Sequence, residues 1–355
     1  MQAHSINSVL LSTIMSIALD TSFSATQRVR DVRPTFIQQI AMKTPVLSRL
    51  AKAPKPMSST PEWPIKTYSA PVLTGVLDGV DPDFTAVGEN NLANKAMLLG
   101  RYQASARYPA VSKFGNLLAK QYAVPTDAMQ DNVKDKTLEH HVDIESVILS
   151  DNESVLQISN TTASLTRSIG RAISNANSRF TDTATTPPTA YRTPATSIVV
   201  SKATASAVLE SDIQGLTQSV AIARKEALTS FWGVCKPEMK AQFTNFTRTD
   251  LNGSSSSTFP VRRFNQAEGG TITMNVTRYE SDFGDIDLTV NYRLDPSILF
   301  LLLDMDMVEI GYAQAPKYEE FPFQGGIRRG MVDSIYVCEV LNPQSHGKII
   351  TGAVA

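Results

Sequence analysis

The sequence predicts an α+β chain, and three observations carry that class. Residues 126–150 repeat apolar positions at helical spacing over about seven turns. Residues 61–71 and 97–112 are short strand-like runs on either side of a tract rich in Gly and Asp. Most of residues 271–352 alternates apolar and polar side chains or runs continuously apolar, as strands do. With 355 residues, 42% of them hydrophobic, the chain can bury a real core and form two or so compact units.

Taken in order, residues 8–19 are apolar, but only His4 stands where a signal peptide would carry its basic residues. The stretch is too short and too rich in Ser and Thr to span a bilayer. Leu10, Ile14, Ile17 and Ala18 share one stripe, which reads as an amphipathic helix packing on its own chain or a neighbour. Residues 20–60 are basic and punctuated by proline. Short helical patterns (Phe36, Ile40 and Met42, then Val46, Leu47 and Leu50) are broken at Pro45 and Pro54, so this is an anchored arm and not a domain.

The strands at 61–71 and 97–112 are expected to pair as a projecting hairpin around Gly75, Asp78, Gly79, Asp81, Pro82, Asp83 and Gly88. A lone two-stranded hairpin is marginal in water, so a long one calls for a partner surface. Trp63, Tyr68, Tyr102 and Tyr108 would supply the amphipathic contact area.

In the long helix, Thr126 or Asp127 follows Pro125 as an N-cap. Met129, Val133, Thr137, His140, His141, Ile144 and Ile148 trace its buried side. Asp127, Asp131, Asp135, Glu139 and Asp143 recur every fourth residue as an acidic ridge. Like charges at that spacing cost about 0.2–0.5 kcal/mol per pair, which suits either a solvated face or a basic partner. Further along, 165–177 reads as a shorter helix and 181–197 as a Thr/Pro-rich loop. Leu209, Ile213, Leu216, Val220 and Ala223 mark an amphipathic helix. Residues 230–234 form a strand, and Pro237 opens a helix through Phe246. Residues 252–258 are a loop tip. Strands are expected at 271–280, 285–293, 297–312, 331–341 and 347–352.

No constellation calls for catalysis. Asp285-Ile286-Asp287-Leu288-Thr289 matches the D-x-D-x-T of some phosphatases. That chemistry needs an apolar strand to deliver the two carboxylates, and here residues 279–284, YESDFG, precede them. The alternation of Ile286, Leu288, Val290 and Tyr292 with polar residues favours an ordinary hairpin turning at Gly284. His140 and His141 point about 100° apart on a helix and cannot chelate one ion. Gly325-Gly326 before Arg328-Arg329 reads as a charged turn. Cys235 and Cys338 form neither a disulfide framework nor a zinc site and are read as small core residues of a chain in a reducing cytoplasm. No catalytic, metal or cofactor-binding residue is assigned, and no cofactor is expected.

The net charge is −1, but it is unevenly spread. Residues 1–57 hold Arg28, Arg30, Arg33, Lys43, Arg49, Lys52 and Lys55 against Asp20 and Asp31, a net +5. Residues 127–153 hold eight carboxylates against Lys134 and Lys136, a net −6. An arm lying along an acidic helix face, its own or a neighbour's, is the expected consequence, with Arg28, Arg30, Arg33, Asp131, Asp135 and Glu139 as contact candidates. An arm facing nucleic acid would need the same charge.

Several residues taken in order resemble the major capsid proteins of tailed bacteriophages with the Hong Kong 97 fold. They are Glu62-Trp63 early, Tyr279-Glu280-Ser281-Asp282-Phe283-Gly284 late, Thr44-Pro45-Val46-Leu47 in the arm, Leu294-Asp295-Pro296, and Glu339-Val340-Leu341-Asn342-Pro343 followed by His346-Gly347. The resemblance runs from about residue 30 to the C-terminus and leaves residues 1–27 without a role. It implies an N-terminal arm (1–57), an extended hairpin loop (58–112), a peripheral domain with a long spine helix (113–155 and 320–355) and an axial domain (156–319). It also implies hexamers and pentamers closing an icosahedral shell around double-stranded DNA, assembled in the host bacterial cytoplasm and ending in the virion. Implied partners are other copies, a portal protein, a scaffold or decoration protein, and DNA bound without sequence specificity, with no membrane. Some relatives crosslink a Lys to an Asn beside a carboxylate; no such trio is identified here. The alternatives are an encapsulin-like compartment, a secreted β-rich surface protein and a phosphatase.

Overall fold

The computed structural model describes residues 42–55, 58–68, 71, 73–75, 77–81, 95–112, 128–199, 202–225, 230–246 and 277–352. In chain order the elements are α1 (Pro45–Arg49), β1 (Ala51–Lys52), β2 (Glu62–Lys66), β3 (Lys95–Leu99), β4 (Gln103–Arg107), β5 (Ala110–Ser112), α2 (Ala128–Ile148) and α3 (Ile169–Ala172). Then come β6 (Ile198–Val199), α4 (Glu210–Arg224), β7 (Ser230–Cys235), α5 (Pro237–Phe246), β8 (Arg278–Ser281) and β9 (Gly284–Val290). The chain closes with β10 (Ile298–Leu303), β11 (Val308–Gln324), β12 (Ile327–Val340) and β13 (Gly347–Ile350). The expected N-terminal helix, the Thr126 or Asp127 cap and the 252–258 loop tip lie outside the described residues.

Two sheets and one ribbon organise these strands. The first sheet runs β1-β11-β12-β4, with β5 also on β12; the second runs β6-β13-β10-β7-β9-β8; β2 and β3 pair only with each other. The second sheet is central because it is covered on both faces. Trp232, Val234, Leu301 and Leu303 point into one core with α2, α3 and the first sheet. Phe231, Cys235, Phe300 and Leu302 point into another with α4, α5 and β9. A strand buried on both faces must be apolar throughout, and β10, ILFLLL, is. Its alternation slips once: Leu299 and Phe300 both face the second core, at the register shift between Ile298 and Phe300.

Four expectations need correction. Residues 97–112 are not one strand, because the chain breaks at Gly100. There a Cβ would stand 2.8 Å from Val337 Cγ2 and 3.2 Å from Trp63, while the Gly100 N–H donates to Pro61 O at 2.9 Å. Only β3 continues the ribbon; β4 and β5 join β12. The 297–312 strand is cut at Asp304, whose carboxylate accepts from Asp306 N at 3.2 Å, and its second half leaves for the first sheet as β11. The shorter helix at 165–177 is a single turn, α3, capped by Ser168 Oγ accepting from Arg171 N at 3.2 Å. Finally, the strands expected at 297–312 and 331–341 run further, as β11 to Gln324 and β12 from Ile327, and meet at the expected charged turn, Gly325 (φ +61) and Gly326 (φ +76). Pro316 and Pro322 are tolerated because β1 covers β11 only at Glu309–Ile310, leaving the remainder an edge. Residues 308–319 pair with β12, whereas β13 pairs with β10 and β6.

Candidate functional site

The candidate functional features among the described residues are surfaces. The ribbon is the most exposed. Glu62 pairs with Leu99 and Lys66 with Lys95, and no third strand joins among the described residues. Beyond it Tyr68 is 86% exposed, Leu73 95% and Leu77 79%. Lys66 lies over the Tyr68 ring at 5.1 Å. Trp63 behaves differently: it is half-buried at the ribbon's root, lining a small cavity with Leu98, Cys338 and Val340. Tyr102 is half-buried with its hydroxyl unpartnered among the described residues, and burial, then the Glu339 charge, raise its pKa. Tyr108 is exposed. The four aromatics expected on one contact surface therefore divide, with Trp63 and Tyr102 serving the root and Tyr68 and Tyr108 facing out.

One face of the first sheet carries α2. His140, fully buried, shares a hydrogen bond with Ser334 Oγ at 2.7 Å, and burial pushes its pKa down. Asn132 Nδ2 donates to Ala110 O at 3.1 Å. His141 contacts Thr137 O within the helix, so the two histidines go separate ways. The opposite face of the hairpin end is uncovered among the described residues: β12 alternates buried residues 330, 332, 334 and 336 with half-buried odd ones, and Phe321, Phe323 and Ile327 are exposed near the tip.

The acidic ridge is largely answered from within. Arg107 on β4 donates to Asp143 Oδ1 at 2.6 Å and lies 3.4 Å from Glu139, which Lys136 also contacts at 2.8 Å. Lys134 stands 3.8 Å from Asp131, and Asp135 is exposed. Asp151 and Glu153 belong to a half-buried cluster with Arg167, Arg171 and Arg179. The net −6 of residues 127–153 is thus not a free −6 surface. The basic candidates Arg28, Arg30 and Arg33 lie outside the described residues.

Sequence reasoning counted Glu145 only among the eight carboxylates of residues 127–153 and missed its role. It is fully buried. Its Oε2 accepts from Val46 N at 3.0 Å and Leu47 N at 3.1 Å, capping α1, whose own Thr44 makes no side-chain cap. Its Oε1 accepts from Asn291 Nδ2 at 2.7 Å. Arg293 Nη1 donates to Lys43 O at 2.8 Å, and Arg49 stacks on Trp232 at 4.9 Å. The arm's root is therefore clamped between α2 and the loop after β9. A signal existed: Glu145 follows Ile144, at the edge of the apolar stripe.

The D-x-D-x-T segment is wall. It forms β9, with Ile286 and Leu288 buried. Asp285 pairs with Arg278 across the hairpin, and Asp287 lies 3.9 Å from Arg49. Gly284 adopts φ +144 at the turn into Ser281. Both cysteines are buried, and burial pushes their thiols up, Cys235 to about 11. Among the described residues no cluster of three His, Cys, Asp or Glu is placed to hold a metal, and no helix is long and apolar enough to cross a membrane.

Among curated protein sequences no relative matches the chain. Solved structures do. A structure from Mycobacterium phage Bobi aligns over 93% of this chain and 97% of its own, with a TM-score of 0.55 at 11% identity. The mature capsid of bacteriophage PhiM1 aligns over 92% and 91%, with 0.52 at 10%. The capsid of a native GTA particle aligns over 94% and 100%, with 0.59 at 9%. These likenesses fix an α+β capsid fold of the Hong Kong 97 kind. The family model of the SU10 major capsid protein matches residues 16–353, reaching into the N-terminal stretch that the resemblance in sequence left out. This fold and that match agree: the chain belongs to the SU10 major capsid protein family and is a structural subunit of a phage capsid.

Proposed function

We propose that copies of this chain form hexamers and pentamers that close an icosahedral shell around double-stranded DNA. The observation that carries this reading is the ribbon, β2–β3. It has no third strand among the described residues, and the stretch beyond it bears Tyr68, Leu73 and Leu77 largely in solvent. An isolated ribbon of that kind is stable only on a surface, and a neighbouring copy supplies one. Each contact can be weak, because every subunit makes many.

In this reading residues 1–57 are the arm and 58–112 the extended loop. The first sheet with α2 as spine helix is the peripheral part, and the second sheet with α4 and α5 is the axial part. Arg28, Arg30 and Arg33 lie against a neighbour's Asp131, Asp135 and Glu139, of which Asp135 is the most open. That contact is screened by salt, so early assembly weakens as ionic strength rises. Catalysis and cofactors have no part in this role. Assembly in the host cytoplasm, a portal protein, a scaffold or decoration protein and non-specific DNA contact complete the scheme.

The test replaces Tyr68, Leu73 and Leu77 together by Ser. The subunit's melting temperature stays within about 1 °C, since exposed side chains contribute little to its own stability. Capsomers and shells are lost. Normal shells from the triple variant would remove the ribbon from the assembly mechanism.

A further inference from the structure

Glu309 on β11 and Glu339 on β12 are direct partners in the antiparallel ladder. Glu339 is only 7% exposed, and neither carboxylate makes a hydrogen bond or ion pair among the described residues. Like charges placed directly opposite destabilise a sheet, so an unanswered pair is a standing cost to the isolated chain. The surroundings do nothing to relieve it. A Cβ on Gly311 would stand 3.0 Å from Glu339 Oε1 and 3.5 Å from the Ala53 Cβ, so the carboxylate lies over a glycine beside an alanine. The residue opposite Glu309 on β1 is Ala51; Lys52, opposite Ile310, is exposed and reaches neither acid. Besides Glu309, the titratable groups that feel Glu339 are Tyr102 and Cys338, and neither is cationic. Burial, then the Glu309 charge, raise the Glu339 pKa to about 7, in keeping with a carboxylate that lacks its counter-charge.

We infer that Glu309 and Glu339 form a seat for a lysine or arginine side chain of a second copy of this chain. A divalent metal fits poorly. Hard cations take about six or more oxygens, and no third metal-binding side chain joins the pair among the described residues. An ammonium or guanidinium needs only the carboxylates and bonds them strongly when desolvated. Charge complementarity selects the occupant: the same chain carries an arm of net +5 and belongs to a family whose members assemble from many copies. Glu309, half-buried, leaves the entrance. The inference rests on the assembly reading and locates one of its contacts.

The experiment compares wild type with the shape-preserving double variant Glu309→Gln, Glu339→Gln as full-length chains. Melting is followed on assembled particles and on dissociated subunits. The two readouts move oppositely. The variant subunit melts several degrees higher, because the unanswered charges are gone. Its assembly weakens at least tenfold in apparent association constant and loses most of its salt dependence. Particles that melt at or above wild type, with unchanged salt dependence, would overturn the inference and leave the capsid reading standing. Wild-type chain that forms no assembly would overturn both. The single Glu339→Gln chain serves as a second route if the double variant does not fold, and the same opposite shifts are expected of it.

Discussion

Glu145 ties the arm to the body, and its replacement by Gln isolates that tie. All three of its partners are N–H donors: Val46 N and Leu47 N on Oε2, and Asn291 Nδ2 on Oε1. Asn291 cannot turn its amide over, because its Oδ1 accepts from Arg293 N at 2.8 Å. A glutamine therefore places its own NH2 against donors whichever way it faces. Hydrogen bonds to a charged acceptor are worth about 1.5–3 kcal/mol each, and a buried donor left unpaired costs about 1–3 kcal/mol. Losing one side of the carboxylate amounts to about 3 kcal/mol, with no cavity because the volumes match. For a chain of 355 residues the unfolding entropy is about 0.75 kcal/mol per kelvin, so the melting temperature falls about 4 °C. The loss is local to the root of α1, so limited proteolysis near residues 42–55 accelerates about tenfold or more before global unfolding. Glu145→Ala goes further, because it removes all three acceptor contacts. A Glu145→Gln chain with unchanged melting and unchanged cleavage would refute the clamp.

Other perturbations have equally definite outcomes. The folded Glu339 pKa of about 7 stands above the ordinary 4.5, so its contribution to subunit stability is fully present below pH 4.5 and is lost as pH rises through 7. Urea titrations of dissociated wild type and Glu339→Gln should therefore agree near pH 4.5 and differ by about 3 kcal/mol at pH 8, with the variant more stable; a gap that does not vary with pH would contradict the shift. Gly233→Ala puts a Cβ 2.8 Å from Ile286 Cγ2 and Phe300 Cε2 and 2.9 Å from Leu288 Cδ2, and overpacking there costs about 1–3 kcal/mol by chemical denaturation. Asp285→Asn removes an ion pair with an exposed Arg278, so stability shifts by less than about 1 kcal/mol and assembly survives, as a wall residue requires. Loss of assembly in that variant would return Asp285 to the list of functional residues.

Elements whose side chains speak for themselves were legible in the sequence. The long helix α2, the amphipathic α4 and the Pro-opened α5 fall where apolar spacing puts them, within two residues at each end. The arm's anchors Val46 and Leu50 are buried as expected. What was hidden is what depends on distant contacts. The outer half of β11 carries no strand signal of its own because Pro316, Lys317, Glu319 and Pro322 are edge residues, and nothing local says which edge stays open. The break at Gly100 depends on Val337, more than two hundred residues away. Charge counting misled for the same reason. Glu145, Asp143 and Glu153 each found a partner from another element, whereas Glu309 and Glu339, unremarkable in the sequence, did not.

The central claim is that this chain is an assembly subunit, and its most direct test is to purify the full-length chain and view it by electron microscopy beside an absorbance ratio for nucleic acid. Closed shells or capsomer-sized rings are the predicted result, with any enclosed material absorbing as nucleic acid. A chain that stays monomeric at every concentration and ionic strength, with an uncovered ribbon, would contradict the account.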